Sequence, residues 1–162
     1  MAMRFPGLSI VATAAIAAAM SAPATAQEWY ARETPLIFDF GALCDISSGE
    51  ARPLVGFTFQ RDRTRFGLSA DAFFDRDDIR EYRATLPSGT SFTMSLGSDP
   101  SSYLAVLTFS SREAGLQFLE HFLVSGDFSL TGNGVHIEIP ALPSASSEME
   151  NLHNCLRELD NG

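Results

Sequence analysis

Lysine is missing from this sequence: all 11 basic residues are arginine, set against 20 acidic ones. The resulting formal charge of −9 argues against a nucleic-acid partner, whose phosphates demand a basic face. It argues equally against docking on anionic lipid by charge. Cysteine is scarce, with two residues, and their separation rules out Cys-x-x-Cys redox chemistry. No Cys/His spacing makes a zinc site, no Gly-x-Ser-x-Gly elbow occurs, and the EF-hand spacing is absent. Internal repeats and low-complexity runs are missing too, and no cofactor is expected.

A membrane-length apolar run is also lacking. The charge-free stretch from Gly7 to Met20 covers 14 residues, short of the roughly 20 that span a bilayer. Arg4 precedes it, the helix-breaking Ser21-Ala22-Pro23 follows, and Ala24-Thr25-Ala26 supplies the small side chains that a signal peptidase accepts. Positive head, apolar middle and small-residue exit define a secretory signal peptide. Cleavage is expected between Ala26 and Gln27, and the alternative is an uncleaved anchor. The residue directly after the cleavage point is Gln27 and not Cys, which disfavours a lipid anchor, and no later segment could span a membrane. Removing 26 of 162 residues leaves 136, suited to a single exported domain over 27–162. Loss of Arg4 makes its side-chain charge −10. The expected location is the periplasm or the exterior.

Both cysteines, Cys44 and Cys155, lie beyond the cleavage point. An even count in an oxidising compartment predicts a disulfide; the rival reading is a pair of free thiols. The bridge would tie a loop near the mature N-terminus to the last helix.

Residues 27–35 read as a tail, Leu36 to Phe40 as a short strand, and Gly41 to Pro53 as a loop containing Cys44. Val55, Phe57 and Phe59 alternate, as do Phe66 and Leu68, predicting a hairpin about Arg61-Asp62-Arg63. Asp75 could cap a short helix through Arg83, with Ile79 and Tyr82 inward. Strands are expected over 91–96 and 103–109. Ser110 and Glu113 form a capping-box pattern ahead of an amphipathic helix over 111–125, carrying Ala114, Phe118 and Phe122 and stopped by Gly126. Gly132-Asn133-Gly134 turns a second hairpin, and residues 144–159 read as a terminal helix with Met149, Leu152, Leu156 and Leu159 in its stripe. The expected fold is α+β: an antiparallel sheet of about six strands, a sandwich or half-barrel, with one packed helix and a disulfide-tethered C-terminal helix.

From Ser110 onward this order resembles small exported proteobacterial proteins of the invasion-associated locus B family. The matching pieces are the apolar helix, the Gly126 stop, the hairpin from Phe128 to Ile139, and Ala145-Ser146-Ser147 opening a helix with Leu152, Cys155 and Leu156. The resemblance implies a β-rich exported domain with no catalytic residue to carry over. This sequence differs in lacking a further central Cys.

Few residues invite chemistry. His121 and His136 fall on polar faces and His153 beside the stripe of the last helix, so each reads as a solvated or boundary residue. Asp71, Asp75, Asp77, Asp78 and Glu81 could supply oxygens to Ca²⁺, or could pair with the interleaved Arg76, Arg80 and Arg83. Arg61, Arg63 and Arg65, at alternate positions, could grip an anion, or keep an edge strand soluble. The function expected is a non-catalytic binding or envelope-associated module whose partner is a protein or a small molecule. Its alternatives are an exported hydrolase with a site built from scattered His and acidic residues, and an acidic Ca²⁺-binding protein.

Overall fold

A computed structural model describes residues 28–49, 52–74, 76, 78–97, 104–125, 128–139 and 147–162. The expected signal peptide, with Ala26 and Gln27, lies outside these residues, as do Asp75, Asp77 and Gly126.

The strands are β1 (Trp29–Ala31), β2 (Leu36–Phe38), β3 (Gly41–Ser48), β4 (Leu54–Phe59), β5 (Thr64–Ser69), β6 (Glu81–Thr85), β7 (Ser91–Leu96), β8 (Leu104–Phe109), β9 (Phe128–Gly132) and β10 (Val135–Ile139). The helices are α1 (Arg112–Ser125) and α2 (Ser147–Asn161), and a 3-10 turn spans Asp71–Phe73. All strands join one antiparallel sheet in the order β1-β3-β4-β5-β8-β7-β6-β9-β10, with β2 also paired to β3. The sheet curls strongly into a half-barrel.

The class is α+β as the sequence predicts, but ten strands among the described residues replace the expected six or so. Part of the supposed tail is β1. The supposed loop around Cys44 is β3, where Cys44, Ile46 and Ser48 are buried and the residues between them are not. The supposed helix ending at Arg83 gives way to β6, with Tyr82 and Ala84 inward between Glu81, Arg83 and Thr85. A helix there would leave the backbone of β7 unpaired along its register with β6, and unpaired backbone groups are costly when buried.

Helix α1 begins one residue later than the capping-box pattern implies. The Ala114 N–H donates to Ser111 Oγ at 3.1 Å, so Ser111 caps the first turn. The helix presses against β5 and β4 through Phe118 and Phe122. Phe57, Phe66 and Phe122 pack with ring centroids 5.0–5.4 Å apart, within the range in which aromatic pairs attract. Close approach is possible because residue 115 is glycine: a Cβ there would lie 2.2 Å from Thr64 Cβ.

Helix α2 packs along β3 and β1, burying Met149, Leu152, Cys155, Leu156 and Leu159. Cys44 and Cys155 are bonded, with Cα atoms 5.9 Å apart across 111 residues of chain. The expected bridge is therefore present, though Cys44 sits in a strand and not a loop. Neither helix among the described residues is long and apolar enough to cross a membrane.

Tyr82 carries an unusual polar atom into this core. Its side chain is fully buried, its ring lies 5.2 Å from Phe73, and its hydroxyl has no hydrogen-bond partner among the described residues. Burial disfavours the phenolate and pushes the pKa up to about 12. The folded state thus holds the proton that an unfolded tyrosine releases near pH 10. Stability from this term is full below that value and declines as pH rises from about 10 toward 12. Because the hydroxyl is unpaired, Tyr82→Phe should leave the melting temperature equal or raised at neutral pH. It should also remove that part of the alkaline decline. A melting temperature lowered by several degrees at pH 7 would show that the hydroxyl has a partner.

Candidate functional site

The outward parity of β3, β4, β5 and β8 defines the face turned away from the core. Residues opposite one another there form a row, Asp45–Thr58–Arg65–Thr108, and next to it Ser47–Gly56–Gly67–Val106. The second row carries little side chain, so the surface dips. The resulting groove has a volume of about 520 Å³ and is bordered by Leu54, Leu104 and Val106. At Thr58 and Arg65 it meets a second concavity of about 320 Å³, walled by Phe40, Leu43, Gln60 and Arg63. Both volumes fall in the range of small-ligand sites.

Compared with family models, curated proteins and solved structures, the chain matches none. The site is therefore read from its own chemistry.

Arg65 stands at the junction. It is exposed, and among the described residues its guanidinium has neither an ion pair nor a hydrogen bond. Its neighbours in the arginine series are already engaged. Arg61 Nε donates to the Leu159 carbonyl at 3.0 Å, tying the β4–β5 turn to the end of α2. Arg63 Nε lies 3.4 Å from Asp62 Oδ1. The edge-strand reading of this series fails, because β5 lies between β4 and β8 inside the sheet. A cation there protects no edge.

Asp45 is the acidic member of the row that carries Arg65. Burial raises its pKa, opposed by the Arg32 guanidinium. Arg32 Nε approaches Asp45 Oδ1 to 3.4 Å, yet that oxygen accepts no hydrogen bond among the described residues. The contact is an ion pair of poor alignment, which still offsets the carboxylate's charge.

A third concavity, of about 560 Å³, lies beyond the β4–β5 turn between Phe40, Arg61 and Leu159. It is the largest of the three, but Asp62 and Glu158 line it along with Arg61 and Arg63, so it presents no single charge. Ile37 of β2 and Phe40 of the β2–β3 turn also line it and are 78% and 69% accessible. Phe38 and Phe40 stack with centroids 4.9 Å apart.

The other sequence candidates do not converge. His136 Nε2 lies 2.6 Å from Glu138 Oε1, but both are exposed on β10. His121 is exposed on α1, edge-on to Phe118, and His153 is exposed on α2. None of the three lines the groove or either neighbouring concavity. Of the acidic group, Asp71 pairs with Arg52 at 2.7 Å and Asp78 with Arg76 at 2.8 Å, while Glu81 stands on β6. Among the described residues no cluster of three or more His, Cys, Asp or Glu could hold a metal ion. The local salt-bridge reading accounts for Asp78, whereas Asp71 pairs outside the interleaved arginines, with Arg52.

Sequence reasoning missed Gly56 and Gly67. The signal was available: each is a glycine at the outward position inside a strand, where glycine is disfavoured.

Arg112 and Asp160 form a bidentate pair joining α1 to the end of α2, at 2.5 and 3.2 Å. The Arg112 hydrogen bond holds the Asp160 carboxyl below its ordinary value. A carboxyl depressed in the folded state stabilises above its unfolded pKa, 3.8 here, and loses that contribution as pH falls below it. Asp160→Asn should therefore lower the melting temperature slightly at pH 7 and not at all in strong acid. An equal difference at both pH values would exclude this linkage.

Proposed function

We propose that the chain is an exported, non-catalytic binding module whose ligand-facing surface is the outer face of β4, β5 and β8. The observation that carries this reading is Arg65: an exposed guanidinium with no partner among the described residues, placed where two concavities meet. A guanidinium is a fork of donors suited to carboxylate or phosphate. Export is supported by the Arg4-to-Ala26 pattern and by the Cys44–Cys155 bridge, since such bonds persist in oxidising compartments. Kinship with the invasion-associated locus B proteins is part of the same proposal and rests on the sequence pattern from Ser110 onward. The hydrolase alternative loses support because its histidines lie outside the concavities.

Secreted protein should begin at Gln27 and be lighter than its reduced form by the pair of thiol hydrogens. The binding face is tested by affinity capture from envelope extract with the wild-type chain and with Arg65→Glu. A partner or small molecule retained by the first and lost by the second is expected. Identical retention by both places the binding surface elsewhere.

A further inference from the structure

We propose that the groove over Gly56 and Gly67 receives a single-chain anionic amphiphile, its head group on Arg65 and its hydrocarbon tail along the glycine floor. This rests on the reading of that face as the binding surface and names the ligand class.

The floor is the first reason. A glycine inside a strand weakens it, by roughly 0.5–1 kcal/mol relative to alanine, so its presence asks for a cause. At Gly115 the cause is the fold, because Thr64 occupies the space a Cβ would need. Gly67 has no such cause. A Cβ there would meet only Leu104 Cδ1, at 3.5 Å, which is ordinary contact, and its φ lies outside the left-handed region. Its cross-strand partner is another glycine, Gly56. Two facing glycines keep a channel open on the solvent side of a sheet. Close approach of a ligand is the recurrent reason for glycine in such places.

The walls are the second reason. Leu54, Leu104 and Val106 flank the floor, and Leu104 is exposed, so the channel offers apolar surface to something that is itself apolar. The charge is the third. At one end Arg65 faces Thr58 on one side and Thr108 on the other, and Arg63 stands in the adjoining pocket with Phe40 and Leu43. The acidic residue of the same row, Asp45, is offset by Arg32. An anionic head at Arg65 therefore meets a guanidinium with hydroxyls beside it, while a neutral or cationic head gains nothing there.

A peptide fits less well. At the floor, Gly56 lies in register between Ser47 and Gly67, and Gly67 between Gly56 and Val106, so the backbone groups there are already used. A peptide laid across the face would leave its own N–H and C=O groups without partners. A hydrocarbon chain brings no such groups. From Arg65 to Ser69 the channel follows four residues of strand, about 13 Å, which suits a medium-length acyl chain.

Calorimetric titration of the mature chain with dodecanoate, below its micelle concentration, tests the assignment. Acetate serves as the head alone and dodecyl maltoside as a tail without charge. Saturable binding of dodecanoate is expected, with neither control binding comparably. Arg65→Gln should weaken it roughly ten- to a hundredfold, the range for a hydrogen bond to a charged group. Gly67→Val should abolish it by filling the floor, with a melting temperature no lower than wild type, because valine suits a strand better than glycine. Absence of dodecanoate binding, equal binding of dodecyl maltoside, or full binding by Gly67→Val would each overturn the proposal. If dodecanoate fails while Arg65→Glu still loses a captured partner, the ligand class is wrong and the binding face stands. If Arg65→Glu also changes nothing, both are wrong.

Discussion

Removing the Cys44–Cys155 bridge is expected to lower stability by about 4–5 kcal/mol, the largest single loss available through one covalent change. The magnitude comes from loop closure. The bridge spans 111 of the 162 residues, and the entropy that a cross-link removes from the unfolded ensemble grows with the span. Both cysteines are fully buried, so Cys44→Ala with Cys155→Ala is the cleaner comparison; serine would add a buried hydroxyl to the loss.

The folded state should survive the change. Helix α2 retains its apolar face of Met149, Leu152, Leu156 and Leu159. Glu148 still accepts the Ala31 N–H at 2.7 Å, and Arg61 and Arg112 still hold its far end. The effect should therefore appear in the unfolded state. Denaturant unfolding of the double variant should show a lower midpoint and a steeper slope, because an unbridged chain exposes more surface. In thermal unfolding the shift should be roughly 15 °C downward for a domain of this size. A loss below about 1 kcal/mol would mean that the unfolded chain keeps its ends together without the bridge.

How legible this molecule is in its sequence depends on what each element uses as its signal. The β4–β5 hairpin is plain because Val55, Phe57, Phe59, Phe66 and Leu68 are large, apolar and alternate without a break. The β9–β10 turn is plain because Gly132-Asn133-Gly134 has few other uses. Strand β3 is hidden because its inward residues are Cys44, Ile46 and Ser48, only one of them a strong strand former, and its end has the composition of a turn. Strand β6 is hidden for a different reason. Ile79 and Tyr82 imitate helical spacing, and the preference of residues 81–85 is set by β7 and β9 on either side. That is tertiary override of local pattern.

The site was half legible. Arg61, Arg63 and Arg65 stand out by spacing, but which of them is free depends on α2 and Asp62, which no local window contains. Gly56 and Gly67 face each other through the hairpin register. Reading them as one feature requires knowing both the register and the side each strand presents. The net charge misleads in a related way: an acidic chain can still place an unpaired arginine over an apolar channel, because total charge says nothing about its distribution.

Gly132→Ala should be the most damaging conservative substitution in the sheet. Strand β9 meets β6 through a single backbone register pair, Thr85 with Thr131. Beyond that pair the side chain of Asn133 continues the contact. Its Oδ1 accepts the Arg83 N–H at 3.0 Å, and its Nδ2 donates to the Glu81 carbonyl at 3.3 Å. Gly132 lies where the chains cross: a Cβ there would fall 1.5 Å from the Arg83 carbonyl oxygen and 2.7 Å from its carbon. Both are backbone atoms of a strand that β7 holds on its other side, so no side-chain rotation can relieve the overlap. The substitution must push β9 and β10 off β6, uncovering Leu130, Val135, Ile137 and Ile139, all buried in the native fold. A loss above about 3 kcal/mol is expected, at or beyond the upper end for overpacking because a strand contact goes with it. Asn133→Ala, which removes hydrogen bonds without a clash, should cost about 1–2 kcal/mol. Gly67→Ala, in the same sheet but with only an ordinary contact to Leu104 Cδ1 at 3.5 Å, should cost nothing. Chemical denaturation of the three variants side by side provides the check. If Gly132→Ala unfolds at the same denaturant concentration as Gly67→Ala, β9 does not cross β6 at the distance found here, and the sheet order at that edge must be redrawn.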